Sequence, residues 1–317
     1  MSATTETPHT SEAQGMAIKA KTQRQLVVRR FFRHRGAMVG MVLFALVFAL
    51  AFSSIGFGPL PGWWKHSYDV TGTVIAGGRP TLTVWPFSLG EHPFGQDNLG
   101  KDYFALVMRG AQISIIVAVM IGLVSTLIGT VIGALAGYFR GRVETLLMRF
   151  TDVMITIPTL VIAAVVGMIA GNLGPYFLAA MLGVITWTGV ARLVRGEFLS
   201  LREKEFVEAA RAVGTPAKRI IFKHILPNCL GVIIVSATLA ISSGILLESG
   251  LSFLGFGVKF PDTSLGVLIN EYRSAMTVRP WLFWWPGIFI IAIALSVNFI
   301  GDGLRDAFDP RQNRVRG

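Results

Sequence analysis

The chain has 317 residues, of which 52% are hydrophobic and only 15% charged, with a mean hydropathy of +0.59. A soluble chain carries about 25% charged residues, so there is too little charge here to face water all round, and a water-soluble globular domain is excluded. The net charge of +11 invites a nucleic-acid reading, but the distribution of the basic residues along the chain assigns them to one side of a membrane instead.

Residues 1–36 form a basic tail, with Lys19, Lys21, Arg24, Arg29, Arg30, Arg33 and Arg35. It could stay unfolded or bind anionic lipid. Six apolar runs follow, at about Ala37–Ile55, Ile113–Tyr138, Val153–Ile169, Tyr176–Val194, Leu230–Leu247 and Trp284–Ile300. Runs near 20 residues are what a helix needs to cross the hydrocarbon core, so the expectation is an all-α polytopic membrane protein with six transmembrane helices. The division is a tail at 1–36, a first span and long external loop at 37–110, a core at 111–302 and a second tail at 303–317.

Placing the N-terminus inside puts 22 of the 29 basic residues on the inner side and 7 on the outer, the bias expected of cytoplasmic loops. Both termini are then cytoplasmic, and Trp63, Trp64, Trp85, Trp281, Trp284 and Trp285 fall on the outer side as interfacial anchors. Arg29-Arg30-Phe31-Phe32 followed by Ala49-Leu50-Ala51 has the look of a cleavable signal. The apolar run continues past that point, so the reading keeps it as a span. In the second span, Gly129, Gly133 and Gly137 lie one turn apart on one face and predict close helix packing. Asp152 and Glu248 lie near span ends, so neither resembles a midplane proton relay.

Cys229 stands alone, which leaves no intrachain disulfide or cysteine cluster, and His9, His34, His66 and His92 show no metal-ligand spacing. Gly95-x-x-x-x-Gly100-Lys101 nearly spells a phosphate loop. Asp102 replaces the hydroxyl residue that would hold magnesium, and no apolar strand precedes it. No catalytic residue and no metal site are assigned, and ATP binding by this chain is not expected.

The informative stretch is the inner segment 195–228. Glu203–Val213 reads as a short helix with Phe206, Ala210 and Val213 on one face, stopped by Gly214 in a positive-φ conformation. Thr215 is expected to cap a second helix beginning at Pro216, carrying Ile220, Ile221 and Ile225 and ended by Pro227. Together these make a stiff helix–turn–helix elbow, with Ala209 and Ala210 keeping its first helix slim enough for a partner's groove.

This elbow resembles the EAA loop of ABC-importer permeases, Glu-Ala-Ala, three residues, Gly, nine residues, Ile-x-Leu-Pro. Glu208, Ala209, Ala210, Gly214, Leu226 and Pro227 match in register, with Arg211, Thr215 and Pro216 between them. His224 departs from the usual Ile and looks like the variant of the dipeptide, oligopeptide and nickel branch. His92-Pro93-Phe94-Gly95-Gln96-Asp97-Asn98-Leu99-Gly100-Lys101-Asp102, Leu251–Gly257 and Gly301–Arg311 are similar to stretches of the C-type permeases of that branch.

The resemblance implies a type I importer permease fold, a bacterial cytoplasmic membrane and a transport subunit with no enzyme activity of its own. It implies a homologous B-type permease, one or two ATPase subunits that use ATP and Mg, and an extracytoplasmic peptide-binding protein as partners, besides membrane lipid and without nucleic acid. The cargo it implies is di- or oligopeptide, with nickel or another small solute as the alternative and an ATPase-independent carrier as a more distant one. Ser125, Thr126, Thr156, Ser242 and Ser243 are candidates for the translocation path, though interhelical hydrogen bonding accounts for such residues equally well.

Overall fold

The computed structural model describes residues 23–83 and 85–308; expectations for the first 22 residues and for Asp309–Gly317 lie outside the described residues. The elements in chain order are α1 (Gln23–Arg33), α2 (Arg35–Ser54), the short hairpin β1 (Gly56–Phe57) and β2 (Leu60–Pro61), and α3 (Tyr103–Phe139). Then come α4 (Gly141–Thr156), α5 (Thr159–Ala170), α6 (Pro175–Ile185), α7 (Thr188–Arg202) and α8 (Glu205–Ala212). The last part comprises α9 (Ala217–Arg219), α10 (Leu226–Phe253), α11 (Leu265–Tyr272) and α12 (Trp281–Phe308).

The predicted spans are present, but two are not single helices. Among the described residues four helices are long and apolar enough to cross a membrane, and up to six spans result if each of two bent pairs counts as one. The expected span Val153–Ile169 is split between α4 and α5, which meet at 83°. Pro158 causes the break: it lacks an N–H and forces the residue before it out of the helical region, and Ile157 is extended at φ −87°, ψ 126°. The expected span Tyr176–Val194 is bent by 47° between α6 and α7. The second span begins earlier than its apolar run, because Asp102 caps α3 by accepting the Ala105 N–H at 2.7 Å.

Helix directions follow from close approaches. A Cβ built on Gly129, Gly133 or Gly137 would come within 2.8 Å of Val190 Cβ or the backbone or Cβ of Ala191, Val194 and Phe198, so α3 and α7 run parallel with almost no space between them. This is the packing the glycine ladder predicts. Ser114 meets Glu248 and Gly122 meets Ile241, which sets α10 antiparallel to α3. Ser242 bonds Ala294 and Gly231 abuts Phe308, so α12 runs back along α10. Gly303 lies on Ala37 and Gly40 on Phe299, which brings α2 antiparallel to α12.

The bundle therefore has two distinct ends. One, here the terminal end, carries α1, the start of α2, α8, α9 and the end of α12. The other, the loop end, carries segments 56–102 and 254–280. The tryptophans expected together do gather at the loop end: Trp64 donates to Asp102 and Trp285 stacks on Phe94 with centroids 3.8 Å apart.

Candidate coupling elbow and cavity

At the terminal end α8 is shorter than the sequence suggests, starting after Lys204 in extended conformation. Glu205 and Glu208 occupy its first turn and Arg211 its last, each matched to the sign of the helix dipole there. The helix closes in a Schellman turn: Gly214 N–H reaches Arg211 O at 2.9 Å and Thr215 N–H reaches Ala210 O at 3.0 Å. Gly214 has φ +75°, and a Cβ there would meet nothing within 4 Å. The glycine is thus required by backbone conformation and not by crowding.

After the turn the structure departs from expectation. Thr215 makes no capping bond; Pro216 itself is the cap residue, extended at ψ 148°. Nor does Pro227 end the second helix. Residues Ile220–Ile225 form a π-helix, with Leu226 N–H bonding Ile221 O, and the chain runs on into α10 without a break. The wider π turn restarts the α register so that Pro227 falls in its first turn, where a missing N–H does no harm. The Asn228 side chain donates to the His224 carbonyl at 2.7 Å.

The elbow is not a loose loop. Val207, Ala210, Ile220, Ile221, Ile225 and Cys229 are buried in one cluster with Val194, Phe198 and Tyr138, joining α8 and the π turn to α3 and α7. Arg202 donates to the Tyr138 carbonyl at 2.5 Å, and Arg211 lies over the Tyr138 ring at 5.6 Å. The Arg192–Asp152 and Arg195–Glu144 ion pairs tie α4 to α7, and Arg140–Glu203 ties the α3–α4 junction to the residue that ends α7.

The face expected to hold Phe206, Ala210 and Val213 together is divided. Ala210 faces inward beside Val207, whereas Phe206 is 41% and Val213 80% exposed. With Ala209 they form an open ridge beside a shallow groove of about 600 Å³ that Thr215, Arg219, Lys223 and His224 complete. Exposed large apolar side chains ringed by basic groups on a rigid helix mark an interaction surface.

A second concavity of about 360 Å³ lies within the bundle, among α3, α5, α7 and α10. Thr159 and Thr186, which stand at the two helix breaks, both line it, with Gly189, Ser236, Ser243 and Gly244. Irregular backbone at membrane depth is tolerated where it borders a cavity. Of the five path candidates only Ser243 lies on this wall. Ser242 donates to Ala294 O at 3.2 Å, Ser125 to Gly122 O at 3.2 Å and Thr156 to Val153 O at 2.7 Å, while Thr126 is buried. Thr159, Thr186 and Ser236 line the cavity without being among those candidates. Pro158 was the available signal for the first, since a proline inside an apolar run announces a break.

Residues 129–314 match the family described as "Binding-protein-dependent transport system inner membrane component", and residues 22–73 match the "N-terminal TM domain of oligopeptide transport permease C". The chain belongs to this permease family. It is 37% identical over 297 residues to the oligopeptide transport system permease protein OppC of Haemophilus influenzae, covering 93% of this chain and 91% of that one. The OppC proteins of Mycobacterium bovis and Escherichia coli K12 are each 36% identical, over 93% of this chain and 97% and 94% of theirs. As a transport permease of the inner membrane, this chain is not an enzyme. Its elbow holds Glu208, Ala209, Ala210, Gly214, Leu226 and Pro227 on one continuous stretch from α8 into α10.

Proposed function

We propose that the chain is the C-type permease of an ATP-driven importer of di- or oligopeptides, with both termini in the cytoplasm. It pairs with a homologous B-type permease, takes cargo from an extracytoplasmic binding protein, and is driven by one or two kinds of ATPase subunit that bind ATP and Mg. The observation that carries this reading is the open Phe206–Ala209–Val213 ridge, held on a buried cluster that reaches α3 and α7. Force applied at the ridge reaches the cavity wall through packed helices and not through a flexible linker. The relatives named oligopeptide permeases support the cargo, as does a cavity wall of glycines, hydroxyls and aliphatic groups, which suits backbones with varied side chains.

Coupling requires that the ridge bind its partner more tightly in one state of the permease than in the other. Burying a side chain the size of Phe206 or Val213 gives about 1.5–3 kcal/mol, enough for a ten- to hundredfold bias. The test is gentle extraction of the tagged chain, followed by mass spectrometry and ATP turnover of what accompanies it. A second permease and ATPase in fixed ratio are expected, with the ATPase lost on Phe206→Asp. Recovery of a stable chain that transports peptide alone in liposomes, without ATP, would refute the reading.

A further inference from the structure

The carboxyl of Glu248 lies outside the elbow and the cavity, yet it is fully buried and no ion pair reaches it among the described residues. Its surroundings are ordered by the direction of their hydrogen bonds. Ser252 Oγ donates to Glu248 Oε1 at 2.7 Å and Ser114 Oγ donates to Oε2 at 2.9 Å. Each serine in turn accepts a backbone N–H from the segment that follows α10. Ser252 Oγ accepts from Val258 at 3.3 Å and also from Ser264 Oγ at 3.3 Å. Ser114 Oγ accepts from Leu265, the first residue of α11, at 3.2 Å. Two relays thus start at main-chain donors on either side of residues 259–264 and end on the two oxygens of one carboxyl.

That segment touches three helices. A Cβ on Gly167 would strike Phe256 O at 1.9 Å and one on Gly171 would strike Gly257 O at 2.7 Å, which places residues 256–257 on the last turn of α5. A Cβ on Gly266 would lie 2.5 Å from Ser249 O on α10, and Asp262 pairs with Arg109 of α3 at 2.9 Å. Leu247 and Gly244, immediately before Glu248 and one turn below it, line the bundle cavity. The segment therefore spans the α5 and α10 walls of the cavity at the loop end, and Glu248 stands at the junction.

We propose that Glu248 is a positioning residue for transport: it latches segment 254–272 across the loop end of the cavity by accepting both serine relays at once. A carboxylate suits the task because both of its oxygens accept and neither donates. A glutamine would present its NH₂ to a serine that is already donating, so one relay would have to reverse or open. Opening the loop end means separating α5 from α10, which breaks the latch unless segment 254–272 swings as a unit with one wall.

The measurement is amide hydrogen exchange, resolved at Val258 and Leu265, on the assembled complex in lipid nanodiscs. Ser114→Ala is expected to speed exchange at Leu265 about tenfold and leave Val258 protected, and Ser252→Ala to do the converse. Glu248→Gln should release one of the two amides and Glu248→Ala both. If Glu248→Ala does not assemble, the serine variants carry the test alone. Serine variants that loosen both amides equally, or neither, overturn the latch.

The transport role rests on the importer reading, and its readout is separate. Uptake stimulated by loaded binding protein should fall at least fivefold in Glu248→Ala, Ser114→Ala and Ser252→Ala, with basal ATP hydrolysis unchanged. Faster exchange with unaltered uptake would overturn the positioning role. Failure of the wild-type complex to hydrolyse ATP in response to binding protein would instead count against the importer reading itself.

Discussion

The two ends of the bundle are built on different principles. The elbow is a local structure: α8, one Schellman turn and one π turn, packed on an apolar cluster within segment 190–229 plus the end of α3. The loop end has an aromatic-rich apolar cluster of its own, and to it adds a set of buried polar contacts, some local and some between residues far apart in sequence. Asp102 accepts from Ala105, Trp64 and His92; Asp97 accepts from Leu99, Lys101 and Tyr272; Gln112 donates to the carbonyls of Ala51 and Gly56. Apolar clusters tolerate small adjustments, whereas a buried polar group that loses its partner incurs its full desolvation cost. On the proposed reading, the elbow would be pushed as a unit and the loop end would open by breaking identifiable bonds.

The sharpest way to break this contrast is Asp102→Ala. It removes a helix cap and orphans the Trp64 and His92 donors, 3.0 and 2.7 Å from the carboxylate, and it should destabilise the permease by about 3 kcal/mol or more. Thermal unfolding in detergent, followed by retention of a monodisperse species, would read this. Next is Gly133→Leu, at the close α3–α7 contact that would carry elbow motion to the bundle on the proposed reading. With Ala191 O only 2.5 Å from a built Cβ, α3 and α7 must separate, at about 1–3 kcal/mol. A melting temperature unchanged within error would mean that this contact is looser than it looks.

Gly214→Val acts only on the turn, where space is open but φ is +75°, so strain of about 1–3 kcal/mol is expected. Gly214→Asn should recover most of the lost uptake, because asparagine tolerates that conformation. Equal damage from both replacements would show that space and not backbone matters there. Phe206→Ser is expected to leave the stability of the chain within about 0.5 kcal/mol while ATPase retention drops about tenfold, measured by pull-down.

The smallest effect belongs to Glu271. Partial burial raises its carboxyl above the ordinary range, and the nearby Asp97 adds to this while Lys101 opposes it. A raised folded-state value favours the protonated form, so its contribution to stability is present in acid and is lost as the pH rises through that value. Glu271→Gln should therefore stabilise the loop end slightly at pH 7 and have no effect near pH 4. A melting difference of opposite sign, or one independent of pH, would exclude this carboxyl as the cause.

What the sequence determined follows from short-range physics. Apolar run length announced the membrane helices, the Gly129–Gly133–Gly137 ladder announced a close helix contact, and the Glu208–Gly214 spacing announced a helix with a left-handed stop. Each of these depends on residues within a few turns of one another. Tertiary structure decided which of two apolar faces of α8 is open, because burial of Val207 and Ala210 depends on Phe198 and Ile225 arriving from other segments. It decided that Pro227 lies in a continuous helix, because a π turn absorbs the fault that proline introduces. It also decided the standing of Glu248. In sequence this is a carboxyl near the end of a span; in the fold it accepts from Ser114 of α3 and Ser252 of α10, which themselves accept from Leu265 and Val258. Hydrogen bonds between residues 134 and 151 positions apart leave no periodicity to read, which is why only the folded chain reveals them.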